Sequence, residues 1–304
     1  MTDVSTPAPG TRALVLGGGG VAGIAWELGV LAALQEAGVD LDAADLVVGS
    51  SAGSVVGTFV RGGAVADAYA QQHAPLPSTY EEPPVIASED FQTRLEQVLA
   101  GAQDDQDARA RLGAVAQQSV GGQTDEERIA TFEQTIPGSE WPSKPLGVTT
   151  IDATDGTFRV LTAESGVPLA RAVAASCSVP FVWTPVSIDG VPHIDGGLRS
   201  ATNADVAAGY ERVLVIACGP EGPSPLGPWL DVAVESLRAG GSSVETVVAD
   251  SASQHAFGTN SLALSTQAPS AEQGHRQGST VAEQIAAFWA EFPAVSPDAD
   301  SVGS

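Results

Sequence analysis

Two turns of glycine and small residues, each joining an apolar strand to a helix within the first 63 residues, constrain the fold more than any other feature. "RALVLGGGG" carries a short buried strand, Ala13 to Leu16, straight into four glycines. A helix is expected from Ile24, with Leu28, Leu31 and Leu34 on one face and a stop at Gly38. "DLVVGS" is a second apolar strand, and "SAGSVVGTFVRGG" a second helix ending at Gly62–Gly63. Strand, helix, strand, helix in this order predicts an α/β fold: a central, mostly parallel sheet flanked by helices in three layers.

The character changes after this pair. Residues 64 to about 142 are rich in Gln, Ala, Asp and Glu, with helical stretches "SEDFQTRLEQVLAGA" and "DEERIATFEQTI", and are expected to form an inserted helical cap. "LGVTTIDATDGTFRVLTA" reads as two strands joined at Asp155–Gly156. "ARAVAASCSVP" reads as a helix stopped by Pro180, "VSIDGVPHIDGG" as a second tight pair, and "RVLVIACG" as one more buried strand. Residues 1–10 are expected to be a flexible lead and 11–219 the main domain. Residues 220–304 would be a C-terminal extension with helices near 228–250 and 280–292 and a polar tail. No internal repeat is visible.

Charge narrows the partners. With 13 basic and 37 acidic residues in 304, the formal charge is −24, a poor platform for nucleic acid or anionic lipid surfaces. A basic patch would have to be local, with Arg171 and Arg199 as candidates. Cys177 and Cys218 form no spaced cluster, so neither a disulfide framework nor a metal site is expected. "MTDVSTPAPG" lacks the basic and apolar regions of a signal peptide, and no stretch suggests a membrane span. The expectation is a cytoplasmic protein with at most transient interfacial contact; the oligomeric state is open.

Three stretches carry chemistry. In "GGGGVAG", Gly17 to Gly23, glycines and a helix N-terminus can turn backbone N–H groups toward an oxyanion or a phosphate. The same residues fit a dinucleotide-binding pattern, which wants an acidic residue at the end of the next strand. That strand instead enters Gly49–Ser50–Ser51. In "GSSAG", Gly49 to Gly53, a serine sits on a sharp strand-to-helix turn, as a nucleophile elbow requires. In "HIDGG", His193 to Gly197, an aspartate is followed by two glycines that let another loop approach. Each stretch alone is also compatible with an ordinary tight turn.

A serine nucleophile usually borrows a histidine, and there are four. His73 lies in the helical region and is expected to be solvated. His193 shares a strand face with Asp195, while His255 and His275 come late, in the chain order of an α/β-hydrolase triad. Against that triad, the elbow closes only the second strand, with room for one βα unit ahead of it. A Ser–His–Asp esterase and a non-catalytic nucleotide-binding module both stay open on the residues alone.

Taken together, Gly18–Gly19–Gly20–Val21–Ala22–Gly23, Gly49–Ser50–Ser51–Ala52–Gly53 and Asp195–Gly196–Gly197 resemble the patatin-like phospholipase family, as does "ASCSVP" between the second and third motifs. The resemblance covers roughly residues 12–219. It departs at Ala22, where many members carry Arg or Lys beside the glycines. The family implies hydrolysis of lipid acyl esters by a Ser–Asp dyad without histidine, metal or cofactor. Carried over, Ser51 is the nucleophile and Asp195 the general base, with Gly18, Gly19 and Gly20 as the oxyanion hole. Ser50 and Ser54 are then bystanders. Phe181, Val182 and Trp183 are candidates for the acyl site.

Overall fold

The computed structural model describes residues 8–76, 88–118 and 123–290. Strand β1 (Ala8–Leu16) lies at the centre of the sheet, followed by helix α1 (Gly20–Glu36), strand β2 (Leu46–Gly49) and helix α2 (Ala52–Arg61). The first strand is longer than its apolar run: it starts at Ala8, paired with Tyr210, so residues 8–10 are not a free lead. Residues 1–7 lie outside the described residues. Helix α1 likewise begins four residues before Ile24, at Gly20.

The segment after α2 holds helices α3 (Val65–Gln71), α4 (Ser88–Leu99), α5 (Asp105–Ala116) and α6 (Asp125–Thr135). It does not form a single cap. Val65 and Ala68 of α3 and Ile129 of α6 join the main core, while Ala108, Leu112 and Ala116 of α5 pack on Ile151 and Ile194 in a separate cluster. The two expected strand pairs form: β3 (Leu146–Asp152) with β4 (Phe158–Leu161), and β5 (Val186–Ile188) with β6 (Val191–Asp195), both antiparallel. Helix α7 (Leu169–Ser176) separates the pairs, and β7 (Tyr210–Ala217) closes against β1 in parallel.

The C-terminal part differs most from expectation. The stretch 228–250 is not one helix but helix α8 (Leu230–Ala239) followed by strand β8 (Ser243–Val248), which pairs in parallel with β7. After the short helix α9 (Ser251–Ala256) comes α10 (Gln267–Trp289), thirteen residues longer at its start than the 280–292 expected. The resulting sheet runs β5-β6-β3-β2-β1-β7-β8, with β4 also on β3.

Alternation along β1 builds two cores. Leu14 and Leu16 face α1, α2 and α10, while Ala13 and Val15 face α8 with Val213 and Val215. Helix α1 is buried almost all round, from Ala22 to Leu34, rather than on one face. A helix apolar on every side needs two covers. The sheet is one; α10 is the other, its backbone so close that a Cβ on Gly29 would stand 2.3 Å from the Ala271 carbonyl oxygen.

Candidate active site

Register places the two candidate residues level with each other. Leu16 pairs with Gly49, so β1 and β2 end together and their glycine turns lie side by side at the carboxyl ends of parallel strands. Gly49 pairs with Val148, two residues short of Thr150, and Thr150 pairs with Asp195. Strand β6 thus returns antiparallel along β3 and ends at the height where Ser51 leaves β2.

Close backbone approach explains the small residues. A Cβ on Gly53 would meet the Leu16 carbonyl oxygen at 2.1 Å, and one on Gly49 would meet Gly53 O at 2.3 Å. The Gly53 N–H donates to Gly17 O at 2.9 Å, tying the elbow to the first glycine turn. Gly196 rests on β3, where a Cβ would stand 2.4 Å from Thr149 Oγ1.

Ser51 caps α2 with φ +51° and ψ −116°, a region that a non-glycine residue enters at a cost of about 1–3 kcal/mol. Hydrogen bonds hold it there. Its N–H donates to Ser176 Oγ at 2.9 Å, and its carbonyl accepts from the Ser54 N–H at 2.9 Å and from Ser54 Oγ at 2.6 Å. The Ser51 side chain lies beside the Asp195 carboxyl and helps to stabilise its ionised form. Asp195 is 3% exposed, and its Oδ1 accepts the Gly197 N–H at 2.7 Å. Burial pushes its pKa up to about 6, against the neighbouring Ser51 side chain, the Gly197 N–H and the positive charge of Arg128, which lower it. Nearby Cys177 has its sulfur 3.9 Å from Ser54 Oγ. Burial, reinforced by Asp195, pushes this thiol up to about 12, so it stays a thiol and is no rival nucleophile at neutral pH.

The glycine turn differs in one detail from the sequence expectation. Gly18 N–H donates to Ala201 O at 2.8 Å, so it is not free to receive an oxyanion. Among the described residues no acceptor meets the N–H of Gly19 or Gly20 at the start of α1, or that of Ala52 at the start of α2. Glu27 supports the turn from below: wholly buried, it accepts the Gly17 N–H at 2.8 Å, and burial raises its pKa well above the usual carboxyl range.

Ser50 and Ser54, taken as bystanders, both hold the site. Ser50 Oγ accepts from Thr149 Oγ1 at 2.8 Å and from Asn203 Nδ2 at 2.9 Å. Asn203 also donates to Gly196 O at 3.0 Å and Ser200 O at 2.9 Å, so one buried amide links the elbow to the Asp-Gly-Gly turn. Sequence reasoning passed over Asn203, Thr149, Ser176, Glu27 and Arg128. Only Glu27, an acid inside an otherwise apolar helix, carried a visible signal.

These groups open into a cavity of about 930 Å³, lined by Gly18, Gly19, Gly20, Ser51, Ala52 and Asp195 together with apolar Ile24, Phe59, Phe132, Val179, Trp183 and Leu262. Of the three candidate acyl-site residues, only Trp183 lines it. No histidine does. His193 is buried in β6 opposite Asp152, with Nδ1 2.9 Å from Val191 O. His275 sits against Glu36 and stacks on Tyr69, whose ring edge also meets His73; His255 closes α9. Arg171 and Arg199 form no basic patch, being paired with Glu126 and Asp205. Among the described residues no group of three His, Cys, Asp or Glu is placed to hold a metal, and no helix is long and apolar enough to cross a membrane.

The family profile described as patatin-like phospholipase matches residues 14–208, well over half of the chain. The chain belongs to this family. Among solved structures it is similar to VipD from Legionella pneumophila, at 14% identity and a TM-score of 0.43, over 91% of this chain and 68% of that one. It is also similar to the type III effector protein ExoU, at 17% identity and a TM-score of 0.39, over 92% of this chain and 54% of that one. No curated protein matches it.

Proposed function

We propose that the protein hydrolyses acyl esters of lipids, in the manner of a phospholipase A or esterase, through a covalent acyl-Ser51 intermediate. Family membership supports the reaction class. The observation that carries the mechanism is the placement of Ser51 beside a buried Asp195 of raised pKa, in a cavity that no histidine lines.

Asp195, the general base, takes the hydroxyl proton as Ser51 attacks the ester carbonyl. A carboxylate with a pKa of about 6 is a better base than one near 3.8 and is still ionised at neutral pH. The tetrahedral oxyanion falls between the N–H groups of Gly19 and Gly20 and that of Ala52, helped by the N-termini of α1 and α2. Each such donor is worth about 3–4 kcal/mol in comparable sites. The proton then passes from Asp195 to the leaving alkoxide, and water activated by the same carboxylate releases the acid. The apolar wall at Ile24, Phe59, Phe132 and Trp183 suits an acyl chain.

A panel of p-nitrophenyl esters and phospholipids tests the reading. Hydrolysis of at least one class is expected. Alanine at His193, His255 and His275 in turn should retain most of it, whereas a thousandfold loss at any one, with the fold intact, removes the dyad.

A further inference from the structure

Arg128 on α6 differs from the arginines that sit in ion pairs. Arg61, Arg109, Arg111, Arg159, Arg171, Arg199 and Arg276 each lie within ion-pair distance of a carboxylate. Among the described residues Arg128 has no such partner, although it is 4% exposed and lines the cavity that holds Ser51 and Asp195. Its guanidinium lies over the Trp183 ring, 4.6 Å from the centroid, and Nη2 donates to Cys177 O at 3.1 Å and Ala174 O at 3.4 Å. Nε is buried without an acceptor. Burying a cation whose nearby carboxylates, Asp195 and Asp125, stand beyond ion-pair distance is unfavourable. An anion entering the cavity lessens that penalty, through the guanidinium charge and the N–H groups that the two carbonyls and the buried Nε leave free.

The rest of the molecule makes this cation more significant. A chain of formal charge −24 repels anionic ligands at long range, so an anionic substrate needs a local positive group. The glycine turn offers none, because Ala22 stands beside it. We propose that Arg128 determines substrate choice here, selecting acyl esters that carry a phosphate or carboxylate group beyond the ester. This rests on the hydrolase reading for its substrate, though not for the binding itself.

Binding is tested on the Ser51→Ala protein by calorimetry with hexyl phosphate, hexanoate and 1-hexanol. At least one anion should bind tenfold or more tighter than hexanol, and the stronger of the two tells a phosphate headgroup from a carboxylate. Adding Arg128→Gln should erase that preference, while Arg128→Lys, which keeps the charge without the guanidinium, should keep part of it. Equal affinity for anions and hexanol in Ser51→Ala overturns the proposal without any change at Arg128. So does a preference that survives Arg128→Gln.

Turnover separates selection from an effect exerted through Asp195. In Arg128→Gln the ratio of kcat/KM for a phosphate-bearing ester to that for its uncharged counterpart should fall at least tenfold. An equal fall for both esters, with a displaced acid limb, would make Arg128 a positioning residue for Asp195 and sink the proposal. Anion-selective binding with no hydrolysis of any ester would refute the hydrolase reading and leave the anion site standing.

Discussion

Asp195 links the chemistry of the site to the stability of the fold. As the proposed base it must be ionised, so kcat/KM should fall about tenfold per pH unit below pH 6 and level off above it. The same shift works against the native state. A folded pKa of about 6 against an ordinary 3.8 means that stability is fully present below pH 3.8 and is lost as pH rises through 6. At 1.36 kcal/mol per pKa unit that loss is about 3 kcal/mol. Asp195→Asn should therefore abolish turnover yet raise the unfolding free energy at pH 8, with little gain at pH 4; urea titrations at both pH values measure it. Equal stability of both proteins at pH 8 would mean that the carboxylate is not strained by burial. Ser51 and Asp195 stood out in the sequence as candidates because their neighbours must be small. Arg128 and Asn203 were not, since what marks them is what they meet across the fold.

At the scale of elements, the glycine-lined crossing of α1 and α10 was the hardest to read. "QAPSAEQGHRQGST" contains Pro269, Gly274 and Gly278, which argue against a helix interior on propensity alone. Pro269 is accommodated in the first turn of α10, and the glycines let the helix lie against α1. A Cβ on Gly274 would stand 2.1 Å from the Trp26 carbonyl oxygen. Gly274→Ala should therefore destabilise by about 1–3 kcal/mol through overpacking, against the gain of under 1 kcal/mol that alanine gives an unconstrained helix. Urea denaturation decides between these signs. Strand β8 was missed for a related reason: its Val/Thr stretch follows Gly240–Gly241 after only Ser242 and Ser243 and merged with the preceding helical pattern. The strand pairs of β3–β6 and the first two βα units were legible because their turn residues and apolar runs agree.

The whole molecule is built so that the C-terminal third completes what the N-terminal third begins. Strand β8 extends the sheet beyond β7, and α10 covers the side of α1 that the sheet leaves open. Reading 220–304 as an appended extension therefore misjudges its place in the core. A chain ending at residue 219 would expose Trp26, Val30, Ala33 and the rest of the α1 face that α10 covers, and it should lack a cooperative thermal transition. A truncated protein that unfolds cooperatively near the full-length Tm would show that α10 is dispensable. The central claim, that Ser51 is a nucleophile driven by Asp195, is tested most directly by labelling with a fluorophosphonate probe. The wild-type protein should be labelled, Ser51→Ala not at all, and Asp195→Ala at least a hundredfold more slowly; labelling that persists in Ser51→Ala would contradict the account.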